Sequence, residues 1–393
     1  MAAVGAGDGA SEALLPGCCC AHTGRGHRGA LLEAAAGGAG AGALLLEAAA
    51  SGGAVWTKTP PFRRICAFSS CSSKYCKNKP HVALTIATHE KGVDAVRSYG
   101  DEGVPVAPET RAYEIGSISK VFLSTLLAKC VEEGELSLDD TIDRYIDLPS
   151  ACVYPSILRL AAHTSGYTDP ALFDTALEAL SWSLSPVKKQ SNPFDDFRSE
   201  WLVGAIADAS CKRRKKEGRF QYSNFGYSVL GYALGRAMGS TYHDLIVSYI
   251  ENELRLSSTT FGPGRLPMVH GFKKGRDCGN WKWSEDSAYA PAGCLCSDAA
   301  DLLSFAKMNL YDEKSYLTLS HRKQVSEKTL DVGLGWIGEK DGDILWHNGQ
   351  TGMFHCFLGF SKSKERAVVL LSNCIKGFMM PEDGIALSIL KSV

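Results

Sequence analysis

Tyr113-Glu114-Ile115-Gly116-Ser117-Ile118-Ser119-Lys120, YEIGSISK, runs directly into the apolar segment VFLSTLLAKCVEEG. Val121, Phe122, Leu126, Leu127 and Val131 recur at helical spacing and Gly134 supplies a stop, so the pattern predicts a helix buried on most sides. At the start of such a helix, a serine and a lysine three residues on project from one face, which brings an amine within reach of a hydroxyl. A serine hydroxyl is a weak nucleophile until a neighbouring base takes its proton. A lysine desolvated in apolar surroundings has a lowered pKa and suits that task. Backbone N–H groups at the helix start lie beside the same hydroxyl and suit a developing oxyanion.

Ser-x-x-Lys alone discriminates little, because it also begins at Ser185, Ser304, Ser320, Ser361 and Ser388. Two further motifs single out Ser117. Tyr222-Ser223-Asn224 is the only Tyr-x-Asn in the chain. Its tyrosine can shuttle a proton between the serine and a leaving group, and Asn224 can hold either Lys120 or a substrate amide. His347-Asn348-Gly349, in WHNGQTG, falls on a candidate strand. There the imidazole can donate to a carboxylate or carbonyl, and the glycine leaves room for a substrate backbone along the sheet edge.

Outward from these motifs, HVALTIATHE and VDAVRSYG read as a hairpin. VGLGWIGE, DILWHNG, GMFHCFLGFS and RAVVLLSN read as four closely spaced strands, and PEDGIALSILKSV as a closing helix with proline at its start. Short connections favour antiparallel pairing. The expectation is an α+β domain over residues 80–393: one antiparallel sheet from 80–135 and 304–393, flanked by helices and split by a mainly helical lobe over 136–303. Residues 1–79 are expected to stay outside the core, since 27 of the first 50 residues are glycine or alanine in a near-repeat.

Lys+Arg 42 against Asp+Glu 43 gives no electrostatic reason to expect nucleic acid or an anionic membrane. The expected partner is a small-molecule or peptide substrate, with a homo-oligomer left open. No apolar run approaches the roughly 18–20 residues that span a bilayer. The start of the chain lacks a basic region ahead of an apolar one, so a cytoplasmic location is favoured. The 14 cysteines are scattered without C-x-x-C pairs in the first segment, and they are expected to be mostly reduced thiols. Neither G-x-S-x-G nor a phosphate or dinucleotide loop stands out, and no metal or cofactor is expected.

In this order, S-x-x-K, Y-x-N and [HK]-x-G resemble the serine beta-lactamase and penicillin-binding-protein superfamily, on the class C beta-lactamase, D-alanyl-D-alanine carboxypeptidase and esterase branch. GELSLDDTI, LRLAAHTSGYTD, YSNFGYSVLGYALG and APAGCLCSDAADLLSFAKM resemble recurring segments of that branch. The resemblance implies a beta-lactamase/transpeptidase-like fold and an acyl-enzyme on Ser117, with Lys120 and Tyr222 as the proton-transfer pair. It implies substrate contacts from Asn224, His347 and Gly349, and an oxyanion hole from the N–H groups of Ser117 and Gln350. His347 stands where many relatives carry lysine, which replaces a fixed cation with a group that titrates near neutral pH. His163, in HTSG, reads as part of a structural turn. The implied activity is hydrolysis of an amide, beta-lactam or ester. The rivals are an esterase or acyltransferase without lactam activity, and a non-catalytic, assembly-forming member of the fold.

Overall fold

The alternating segments HVALTIATHE and VDAVRSYG form the expected hairpin: β1 (Leu84–Glu90) pairs antiparallel with β2 (Val93–Tyr99), from Leu84 opposite Tyr99 to Glu90 opposite Val93. The computed structural model describes residues 74–106, 111–169, 192–211, 217–264, 266–375 and 381–392. β3 (Pro105–Val106) extends the hairpin and β4 (Tyr113–Glu114) leads towards the central helix. Within the interval expected to be helical lie β5 (Thr260–Phe261), β6 (Gly271–Lys273), β7 (Arg276–Gly279) and β8 (Leu295–Ser297). Strands of two to four residues are too short to show a period of two, which is why no alternation marks them. The late strands are β9 (Val325–Ser326), β10 (Leu330–Val332), β11 (Ile337–Glu339), β12 (Ile344–Thr351), β13 (Phe354–Ser361) and β14 (Arg366–Ser372).

These strands make a nine-stranded sheet in the order β3-β2-β1-β14-β13-β12-β11-β10-β9, antiparallel throughout. The early hairpin joins the late strands through β1 and β14, with Leu84 opposite Ser372 and Glu90 opposite Arg366. Every residue of β13 and β14 is buried. Helix Ala299–Leu310 covers one face and the closing helix Pro381–Lys391 the other, so both strands run apolar instead of alternating. Contrary to the expectation that residues 1–79 stay outside the core, Tyr75 and Cys76 are buried in it on the closing-helix side, the Tyr75 hydroxyl shared among Ser372, Cys374 and Glu382.

The central helix Ser119–Glu132 buries eleven of its fourteen residues, and Gly134, at φ +77°, follows its end. A helix enclosed this far must satisfy its own polar groups. Ser119 Oγ accepts Leu295 N–H at 3.0 Å, Ser124 Oγ meets the Tyr227 hydroxyl at 2.9 Å, and Thr125 Oγ1 donates to the Phe122 carbonyl at 2.9 Å. Phe122 stacks on Phe305 of helix Ala299–Leu310, with centroids 4.0 Å apart, which joins the helix to the layer beneath the sheet.

Helices Ser199–Cys211, Asn224–Ala237 and Tyr242–Ser248 lie between the central helix and the late strands in the chain. Phe194, Phe197 and Trp201 pack around Tyr289 against the main hydrophobic core. Cys152 and Cys211 form a disulfide; the other described cysteines are buried free thiols. Among the described residues, no helix is long and apolar enough to cross a membrane. Phe122→Ala would leave a cavity where the stacked pair now sits. Urea denaturation should show a loss of about 3–5 kcal/mol.

Candidate active site

Ser117 lies in a 3-10 turn, Gly116–Ile118, that feeds straight into the central helix, so the serine sits one step ahead of the α-helix proper. Gly116 takes φ +49°, a conformation that glycine adopts without strain. The turn lies against β12 at van der Waals limits. A Cβ on Gly116 would sit 2.7 Å from Gln350 N, and one on Gly349 would sit 1.9 Å from the Ile115 carbonyl oxygen and 3.0 Å from Ser117 N. Each of the two amides expected to form an oxyanion hole therefore rests in the space where the opposing glycine lacks a side chain. At Gly349 the turn itself fills the space that a side chain would take.

The Lys120 side chain is wholly buried and reaches three atoms: Ser117 Oγ at 2.8 Å, Asn224 Oδ1 at 2.9 Å and the Ala292 carbonyl at 2.6 Å. Burial lowers its pKa from the ordinary lysine range to about 7, against the opposing charge of Asp169. Asn224 Oδ1 and the Ala292 carbonyl only accept hydrogen bonds. In the neutral amine they take the two hydrogens, and the remaining lone pair points to the Ser117 hydroxyl. That is the arrangement in which a serine proton can move to nitrogen.

Asn224 opens helix Asn224–Ala237, whose N-cap Ser223 accepts Gly226 N–H at 2.8 Å. Its amide is engaged at both ends within the chain: Oδ1 on Lys120, and Nδ2 donating to Asp169 Oδ2 at 3.0 Å. The geometry thus selects the Lys120 contact from the two roles open to Asn224. The Tyr222 ring lies 5.0 Å from Lys120 Nζ and stacks on His163, with centroids 4.6 Å apart. His163 is buried, with φ +57°, and its Nδ1 accepts Ser223 N–H at 3.1 Å. Burial holds it well below the ordinary histidine pKa, and repulsion from Lys120 adds to this.

His347 differs from the expectation in two respects. Its Nδ1 lies 2.5 Å from the Asn348 carbonyl, which can only accept, so Nδ1 carries the hydrogen and Nε2 a lone pair. Nε2 is buried without a hydrogen-bond partner among the described residues. The ring is wholly enclosed, with the Tyr222 ring 6.1 Å away. Burial first, and then Lys120, lowers its pKa to about 3, so it does not titrate near neutral pH. Its donor nitrogen is used by its own backbone and is not available to a substrate carboxylate.

Behind the sheet, Asn348 Nδ2 donates to Asp383 Oδ2 at 2.7 Å and His355 Nε2 donates to Asp383 Oδ1 at 2.8 Å. The closing helix thereby braces the part of β12 that carries Gly349 and Gln350. Ser117, Lys120, Tyr222, Asn224, His347, Gly349 and Gln350 all converge. The sequence motifs mark His163 only as part of a structural turn and pass over Asp169, although the phrase HTSGYTD contains both.

The sequence family described as Beta-lactamase matches residues 77–387. Protein flp of Staphylococcus aureus (strain MW2) is 23% identical over 292 residues, covering 70% of this chain and 55% of that protein. The chain spans about half the length of the curated relatives it matches. Among solved structures, a class C beta lactamase from Rhodobacter sphaeroides superposes with TM-score 0.62 at 20% identity, over 80% of this chain and 94% of that one. An octameric penicillin-binding protein homologue from Pyrococcus abyssi gives 0.64 at 22% identity, over 84% and 76%. A beta-lactamase/D-alanine carboxypeptidase from Pseudomonas syringae is 16% identical and covers 84% of this chain and 100% of its own, with TM-score 0.65. At these identities the likeness to solved structures concerns the fold. Gly349→Ala tests the contact that joins turn to strand: its Cβ would collide with backbone, so the thermal midpoint should fall, by an amount equivalent to about 1–3 kcal/mol or more.

Proposed function

The chain belongs to the beta-lactamase family, and from that premise we propose that it is a serine hydrolase acting through an acyl-Ser117 intermediate on an amide, lactam or ester. The single observation that carries the reading is the Lys120 amine, 2.8 Å from Ser117 Oγ and with its other two directions occupied by acceptors. In the proposed step, Ser117 Oγ attacks the acyl carbon as its proton passes to Lys120 Nζ. The Ser117 and Gln350 amides receive the negative charge that develops on the carbonyl oxygen. Collapse breaks the bond to the leaving nitrogen or oxygen, which takes back the proton by way of Lys120 and Tyr222. Water then cleaves the acyl-serine, with the same pair moving the proton, and the serine is regenerated.

The uncharged state of His347 favours one class within this range. A lysine at this position would offer a cation to a carboxylate; the enclosed, neutral imidazole does not. We infer that neutral acyl substrates, esters in particular, turn over faster than anionic lactams. Side-by-side rates on a short-chain nitrophenyl ester and on nitrocefin check this, and faster nitrocefin turnover would reverse the order.

A fluorophosphonate probe tests the nucleophile. Labelling is expected in the wild type and absent in Ser117→Ala; equal labelling of the two would remove Ser117 from the role and favour a non-catalytic member of the fold. The labelling rate should climb with pH through an apparent pKa near that of Lys120, about 7, because the free amine is the active form and its fraction grows as pH rises. Lys120→Arg, which cannot lose its proton at these pH values, should reduce the rate by on the order of 100-fold or more.

A further inference from the structure

We propose that Asp169 is a positioning residue of this site, which fixes the Tyr222-Ser223-Asn224 segment and aims the lone pair of Lys120 at Ser117 through the amide of Asn224. The inference rests on the reading of Ser117 and Lys120 given above. Asp169 Oδ1 accepts Phe225 N–H at 2.6 Å and lies 3.4 Å from Ser223 Oγ, while Oδ2 accepts from Asn224 Nδ2 at 3.0 Å. One carboxylate thus holds three successive residues. From the other side, His163 accepts Ser223 N–H and stacks on Tyr222. Both residues come from the turn HTSGYTD, so one short segment grips the motif at its two ends.

The chemistry follows from the two ends of an amide being different. A carboxylate can only accept, so the end of Asn224 that meets Asp169 must be nitrogen, and the end that meets Lys120 must be oxygen. That oxygen takes one amine hydrogen and the Ala292 carbonyl takes the second, which leaves the lone pair for the serine. A flipped Asn224 would present N–H to Lys120, and the lone pair would turn from Ser117 towards that donor. Asp169 thereby sets the direction of proton transfer without touching the reacting atoms.

The carboxylate also bears on the charge of Lys120. The groups that face the amine are the Ser117 hydroxyl on the preceding turn, Asn224 and Tyr227 from helix Asn224–Ala237, and the Ala292 carbonyl. Tyr222, His163 and His347 complete the surroundings, the two histidines uncharged. Burial lowers the lysine pKa and Asp169 raises it. Removing the negative charge must therefore favour the free amine at lower pH.

Asp169→Asn keeps the shape and removes the charge. The pH dependence of fluorophosphonate labelling at Ser117 should show a maximal rate reduced about 10-fold. Its acid limb should move to lower pH by on the order of half to one unit. A purely structural role would lower the rate without moving the limb, and that result, or a wild-type profile, overturns the proposal. Should Asp169→Asn not fold, Asp169→Ser carries the test, since it too removes the charge. Its rate should fall about 10-fold with the limb moved to lower pH, and an unmoved limb or a wild-type rate overturns the proposal. Absence of Ser117-dependent labelling in the wild type is a separate outcome: it removes the functional reading, and this inference with it.

Discussion

Lys120 holds an amine in a position sealed from water, and the rest of the site is arranged around that fact. Taking a charged ammonium out of water is unfavourable by several kcal/mol unless it is paired, so a buried lysine responds by shifting towards its neutral form. The central helix supplies the burial, because it is enclosed along eleven of fourteen positions. Three partners define where the amine points, and they come from three separate parts of the chain. Burial changes the proton affinity and the partners set direction; neither alone makes a base.

Assembling those partners depends on bringing distant stretches of the chain around one core. The serine and lysine share one helix start, but Asn224 opens a different helix and Ala292 belongs to the short segment Ala290–Gly293 ahead of β8. Opposite them, β12 lies so close to the Gly116–Ile118 turn that only glycine fits at positions 116 and 349. The tightness serves a purpose: it places the Gln350 amide beside the Ser117 amide without any side chain between them. Asp383, on the closing helix, then fixes the same strand from its far face through Asn348 and His355. Burial pulls the pKa of His355 down, but its bond to Asp383 outweighs this and leaves it raised.

Two histidines illustrate how burial decides chemistry that residue identity leaves open. His347 and His163 are both enclosed near Lys120, and both are held in the neutral state. An exposed histidine at position 347 would titrate near neutral pH and offer a donor to a substrate. The enclosed one spends its donor on the Asn348 carbonyl. His163 looks like an ordinary turn residue by its neighbours in sequence, yet its ring forms the wall against which Tyr222 stacks.

The sequence by itself determined the long elements and the order of the motifs, whereas short strands such as β5–β8 left no periodic signal. The helical spacing after Ser117, the hairpin signal near residue 80 and the four late strands are local patterns, written in residues that lie close along the chain. It also singled out Ser117 from five other Ser-x-x-Lys matches, through the lone Tyr-x-Asn and the His-x-Gly that follow it. Only the tertiary structure decided which atoms face one another. The Asn224 amide, the burial of His347, the internal use of Gly349 and the grip of Asp169 all depend on contacts between segments separated by tens to hundreds of residues. A hydrogen bond has direction and burial has depth, and a linear pattern of residue types records neither.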